Sequence, residues 1–166
     1  MRLFIAIQLD EAAKEYLSSV QDQFRESTVR GSYTPEENLH LTLAFIGEYD
    51  DPGLVKSVVE SIEIRPFDIR LTGIGAFGDL WWAGLDDCPP LMAVSRRLRR
   101  ALSDAGVPFD RKKFSPHITL MRRADGRLSG IQEEEMASLF GASMTVDHIS
   151  LMRSDRGRHG MIYTEL

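Results

Sequence analysis

The chain has 166 residues, 43% of them hydrophobic and 27% charged, with a formal net charge of −5 at pH 7. That balance belongs to a folded globular protein, not a disordered one, and a chain of this length buries enough surface to fold without a disulfide or metal staple. The negative charge excludes broad, sequence-independent coating of nucleic acid, which needs many Lys and Arg contacts to phosphate, but leaves room for a local pocket that grips one terminal phosphate.

The single cysteine, Cys88, excludes an internal disulfide and a thiol-rich zinc site, and points to a reducing compartment. The apolar run near the start, residues 3–7, falls far short of the roughly 20 residues of a membrane span. Asp10 and Glu11 follow it at once in place of a cleavage site, so a cytoplasmic protein with no membrane association is expected.

In chain order, residues 2–9 read as a buried strand, a short Ile- and Phe-rich run ended by Asp10. Asp10 is a candidate cap for a helix over 11–26, where Ala12, Tyr16, Leu17, Val20 and Phe24 recur at helical spacing. A polar loop containing Pro35 leads into residues 39–45, which alternate as a strand does. Asp50-Asp51-Pro52 starts a short helix to about residue 61, with proline in the first turn. Strands are expected over 67–74 and 80–85, joined by the turn Gly75-Ala76-Phe77-Gly78. After Pro89-Pro90 comes an amphipathic helix with Leu91, Val94, Leu98, Ala101 and Leu102 on its apolar stripe, ended by Gly106. A basic loop, 111–116, precedes a strand over 117–121. A weaker helix over about 131–139 and strands over 144–152 and 160–165 complete the pattern.

The two halves echo each other. Each has a long helix, a proline-containing loop and a strand that opens with the same motif. The economical architecture is an α+β protein, one domain over 1–166, made of two similar lobes that face each other.

Those motifs are His40-Leu41-Thr42-Leu43 and His117-Ile118-Thr119-Leu120. With 4 His and 7 Thr in the chain, random placement yields about 0.17 cases of Thr two places after His, and two are present, so chance is a poor account. In a strand, residues i and i+2 share a face, roughly 6.6 Å apart. Each His–Thr pair then looks outward while Leu41 and Leu43, or Ile118 and Leu120, anchor the core. An imidazole with a pKa near 6.5 moves protons around neutral pH, and a hydroxyl donates to a phosphate oxygen. Two such strands side by side would surround one phosphorus with an acid, a base and anion donors, the set that phosphodiester hydrolysis needs. A strained cyclic phosphate needs no metal, and no cluster with convincing ligand spacing is evident. No cofactor is expected.

These residues resemble the paired H-x-T-x motifs of the two-histidine phosphoesterase superfamily. Their surroundings resemble its RNA 2′,3′-cyclic phosphodiesterase branch, historically called 2′-5′ RNA ligases. The resemblance extends over the opening residues 1–7, residues 35–47, Trp82-Ala83-Gly84, residues 114–122, and the tail at 151–154 and 160–163. It implies a pseudo-symmetric fold with antiparallel sheets lining a central cleft and helices outside. It also implies that His40 is the proton donor to the leaving 3′ oxygen, that His117 is the base that activates water, and that the product is a 2′-phosphate. The motifs themselves, being symmetric, do not assign those roles. Where the family often carries a longer basic stretch between Phe77 and Trp82, this chain has only Gly78-Asp79-Leu80-Trp81.

Thr42, Thr119 and Arg122 are the candidate phosphate binders, Arg122 being assigned to the His117/Thr119 face of a continued strand. Phe45 and Phe114 are candidates for stacking on a base, and Lys112 and Lys113 for guiding an anion. Of Trp81 and Trp82, only one is expected to face the cleft. His148 is expected mid-strand and structural, and His159 exposed in a turn. The expected partner is an RNA end or a small cyclic-phosphate nucleotide, bound by a monomer. Two competing readings are a phosphodiesterase for a small nucleoside or ADP-ribose cyclic phosphate and a non-catalytic module that binds RNA ends or nucleotides.

Overall fold

Strand β1 (Arg2–Gln8) sets the frame, because its two faces go to different places. Leu3, Ile5 and Ile7 enter the main core, whereas Phe4 and Ala6 on the other face form a small apolar floor with Met152 and Tyr163. The computed structural model describes residues 1–126 and 141–166; the helix expected over about 131–139 lies outside the described residues.

β1 pairs antiparallel with β3 (His40–Glu48) on one side and with β8 (Ser150–Gly157) on the other, and β9 (Gly160–Glu165) follows β8, giving a sheet in the order β3-β1-β8-β9. The second sheet has the order β2-β6-β5-β4-β7, from β2 (Ser32–Tyr33), β4 (Phe67–Phe77), β5 (Leu80–Leu85), β6 (Ile118–Arg122) and β7 (Ala142–Val146). All its pairings are antiparallel. The first motif thus lies in one sheet and the second motif in the other.

Among the described residues, three α-helices cover the core side of the sheets. α1 (Glu11–Glu26) is capped as its sequence suggests, the Asp10 carboxylate accepting from the Ala13 N–H at 2.8 Å. It buries Ala13, Leu17, Val20, Gln21 and Phe24. Ala12, expected on the stripe, is exposed, because the face is rotated toward Ala13. α2 (Pro52–Ser61) begins at the expected proline, with Asp51 accepting from Leu54 N–H at 3.1 Å. α3 (Pro89–Asp104) takes both prolines into its first turn, where a missing N–H costs no hydrogen bond. Gly106, at φ 74°, ends it in the left-handed region. One apolar cluster joins Leu17, Val55 and Leu98 of the helices with Leu41 and Leu120 of the two sheets. No described helix is long and apolar enough to cross a membrane.

Two boundaries differ from expectation. The β4–β5 connection is a two-residue turn, Gly78-Asp79, with Phe77 opposite Leu80, so Gly75 to Phe77 belong to the strand. The strand expected over 144–152 is two strands in different sheets, parted at residues 147–149. Asp147 and His148 form an exposed pair there, with His148 Nδ1 2.6 Å from Asp147 Oδ1, so His148 is a connection residue and not a mid-strand one.

Candidate active site

His40 opens β3, and His117 stands one residue before β6. The intervening Leu41, Leu43, Ile118 and Leu120 are fully buried, which turns His40, Thr42, His117 and Thr119 toward a single cavity of about 660 Å³ between the sheets.

The two imidazoles are tethered alike. His40 Nδ1–H donates to the Asn38 carbonyl at 2.6 Å, and His117 Nδ1–H donates to the Ser115 carbonyl at 2.7 Å. A carbonyl can only accept, so each contact fixes the proton on Nδ1 and leaves Nε2 as the working nitrogen. In His40 that nitrogen lies 2.9 Å from Thr42 Oγ1. Asn38 is itself buried and pinned, its side-chain amide donating to the Met161 carbonyl of β9 at 2.8 Å.

Each ring also sits between aromatics. Phe4 and Tyr163 flank His40 at centroid distances of 5.0 and 5.2 Å. Phe77 and Trp82 flank His117 at 5.3 and 6.4 Å. Trp81 points the other way, into the core against Phe24, as strand alternation requires. Gly75 makes room for the Trp82 ring, since a Cβ there would collide with it. Burial pushes the His40 pKa below its ordinary value, and the charges of Arg122 and His117 push it the same way, against the Asn38 carbonyl. The two motif histidines and Arg122 therefore share one electrostatic site.

Arg122 reaches this site by a route the sequence hides. It was expected on the Thr119 face of a continued strand, but regular alternation would turn it away from that residue, three positions earlier. In β6, however, Trp82 pairs with Thr119 and Trp81 with Met121, so Leu120 is an extra residue in a β-bulge. Leu120 and Met121 are both buried, and Arg122 then faces the cavity with Thr119. β3 has the same device. Ala6 pairs with Thr42 and Ile5 with Ala44, skipping Leu43, which brings Phe45 to the cavity with Thr42. The Leu120 carbonyl accepts from Gln21 Nε2 at 2.9 Å and from Thr34 N–H at 2.9 Å. Buried Gln21 of α1 thereby holds the bulge in place.

Of the other candidates, Lys112 lines the cavity. Phe114 does not face it: this ring packs against the core with the Arg99 guanidinium 5.9 Å from its centroid, so the stacking candidate from that loop is withdrawn. Sequence reasoning missed Phe4 and Tyr163. For Phe4 the signal was present, since it alternates with the core residues Leu3 and Ile5, but two apolar faces on β1 look like one buried strand, whereas Tyr163 stands between exposed neighbours. It also missed Arg2 and Arg156, which line the basic end of the cavity.

Residues 9–158 match the profile of the 2′-5′ RNA ligase superfamily. The chain belongs to that superfamily. Among other members, it is 31% identical over 164 residues to the RNA 2′,3′-cyclic phosphodiesterase of Geobacillus stearothermophilus. That match covers 92% of this chain but 52% of the relative, so the chain spans about half that protein's length. With the RNA 2′,3′-cyclic phosphodiesterase of Methanothermobacter thermautotrophicus the identity is 28%, over 100% of this chain and 96% of the relative. Among superfamily structures, a Thermus thermophilus crystal structure superposes with a TM-score of 0.82 at 28% identity, covering 100% of this chain and 95% of that one. Apo Escherichia coli LigT gives 0.81 at 26%, covering 99% and 94%. The α+β fold with antiparallel sheets is thus shared with these two structures.

Proposed function

We propose that this chain is a metal-independent RNA 2′,3′-cyclic phosphodiesterase that opens the terminal ring to a 2′-phosphomonoester. The observation that carries this reading is the pair of Nδ1-tethered imidazoles, each with its threonine, facing one cavity from two different sheets. The names of the relatives and a LigT crystal structure complexed with 3′-AMP support it. The two sheets then act as lobes of one catalytic domain.

His117 Nε2, its lone pair free because Nδ1 holds the proton, takes a proton from water as the water oxygen attacks phosphorus. His40, protonated on Nε2, gives that proton to the 3′ oxygen as the P–O3′ bond breaks, and the phosphate stays on the 2′ oxygen. The lowered pKa of His40 makes its imidazolium a stronger acid. Thr42, Thr119 and Arg122 stabilise the non-bridging oxygens as charge builds on them. Phe45, on the cavity rim, is placed to stack on the terminal base.

The test is to incubate the protein with a short RNA ending in a 2′,3′-cyclic phosphate and identify the product. A 2′-phosphate end supports the assigned roles. A 3′-phosphate end would exchange them, and an unreacted but bound RNA would favour a binding module.

A further inference from the structure

The cavity-facing side of the first sheet changes character along its strands. At one end Gln8 Nε2 donates to Ser150 Oγ at 2.9 Å, close to Glu165. In the middle lies the apolar floor of Phe4, Met152 and Tyr163, on which His40 rests. At the far end are Arg2, Ser154 and Arg156. The register puts Arg2 beside Ser154 and Ser154 beside Tyr163, with Arg156 one step further, beside Met161.

This far end is positive without internal compensation. Among the described residues, neither Arg2 nor Arg156 has a carboxylate within ion-pair distance, whereas their neighbours Arg153 and Asp155 pair with each other at 2.8 Å. The Arg2 guanidinium lies over the Phe45 ring, 5.0 Å from its centroid, which orients it at the cavity rim. Among the described residues, Arg2, Lys112, Arg122 and Arg156 line the same cavity against one acid, Asp110, and the Asp110 carboxylate is turned to the Lys112 backbone N–H. Such a bias, in a chain of net charge −5, marks a place for anions.

The catalytic set needs only one of these cations, Arg122. Alternate residues on a strand are about 7 Å apart, so Arg2 lies one step from the Phe4–His40 stack and Arg156 about two steps from Met152. A nucleoside whose 2′,3′-phosphate lies at the histidines carries its 5′ oxygen across the ribose, within that reach.

We propose that Arg2, Arg156 and Ser154 form a second phosphate subsite that takes the 5′-phosphate of the terminal nucleoside. This deepens the hydrolase reading and rests on it for the placement of the first phosphate. The substrate class it selects is a strand end, or a nucleotide phosphorylated on both sides of the ribose, over a lone nucleoside cyclic phosphate. Guanidinium groups suit this task because they meet phosphate through two parallel N–H bonds.

The test is calorimetric titration of the whole chain with adenosine 2′,5′-bisphosphate and with adenosine 2′-monophosphate, neither of which requires turnover. The bisphosphate is expected to bind about 10- to 100-fold tighter, with a salt dependence steeper by about one to two in log–log slope. In the double variant Arg2→Gln/Arg156→Gln the ratio of the two affinities falls toward one, and in Arg2→Lys/Arg156→Lys much of it survives. Equal affinities in the wild type, or a preference that persists in the glutamine variant, would overturn the subsite. Hydrolysis of cyclic-phosphate RNA is assayed separately. Its absence alongside a retained bisphosphate preference would sink the hydrolase reading and leave the subsite standing.

Discussion

Phe45 and Arg122 are structural equivalents, each five residues after a motif histidine and each brought into the cavity by a bulge at the motif's last leucine, Leu43 or Leu120. The internal symmetry therefore extends past the His-x-Thr pairs to the irregularity that follows them. It is broken by chemistry, since one lobe offers a ring and the other a cation.

The Arg122 bulge depends on a hydrogen bond from another element, so its holder can be tested. Gln21→Leu leaves the Leu120 carbonyl with Thr34 N–H as its remaining donor in a buried setting. A stability loss of about 1–3 kcal/mol is expected from urea titration. Because Arg122 is then less firmly aimed, KM for a cyclic-phosphate RNA should rise several-fold more than kcat falls. An unchanged KM would show that the bulge holds without Gln21.

In the proposed mechanism, removing either imidazole removes a proton-transfer partner. His40→Ala and His117→Ala are each expected to lower kcat by about 10²- to 10⁴-fold, with the double variant losing much less than the product of the two. Single-turnover rates on the same RNA measure this. A single variant within ten-fold of wild type would rule that histidine out of the chemistry.

The hydroxyls are separable from the fold by an isosteric change. Thr42→Val and Thr119→Val keep the strand shape and remove one donor each, and a kcat loss of about 10- to 10³-fold is expected at nearly unchanged melting temperature. Equal losses of activity and stability would assign the threonines to structure alone.

The pKa of His40 is lowered from its ordinary 6.5, first by burial and then by Arg122 and His117. Between that lowered value and 6.5 the unfolded chain binds more protons than the folded one, so stability rises with pH across this window. The contribution is complete above 6.5 and is lost as pH falls through the folded value. Urea midpoints taken from pH 7 downward should fall more steeply in wild type than in His40→Gln. Parallel curves would contradict the shift.

Activity is expected to persist in excess EDTA, because in the proposed mechanism two imidazoles, two hydroxyls and a guanidinium supply the acid, base and charge stabilisation. Loss of rate in chelator, restored by a divalent ion, would require a different mechanism.

The parts legible in the sequence were those governed by local chemistry. Asp10 capping, Pro52 at a helix start and the His-x-Thr alternation are each decided within a few residues. What stayed hidden depended on pairing. Alternation alone puts Arg122 on the wrong face, and only the register between β5 and β6 reverses this. The break at Asp147 is where the chain crosses from one sheet to the other, a tertiary event inside a run with continuous strand character. Tyr163 gives no sign of its role until β8 and β9 fold it against His40.

The place of β1 in the middle of its sheet has a consequence for how the molecule comes into being. Its ladders join residues 2–8 to residues 40–48 and residues 2–6 to residues 150–154, pairings of very different separation. Closing the longer of these demands a large loop, which slows folding. During synthesis the first histidine can gain its strand early, yet Met152 and Tyr163 of the floor beneath it arrive only with the β8–β9 hairpin. A nascent chain that already holds both histidines would thus lack this packing under His40 until β8 and β9 dock.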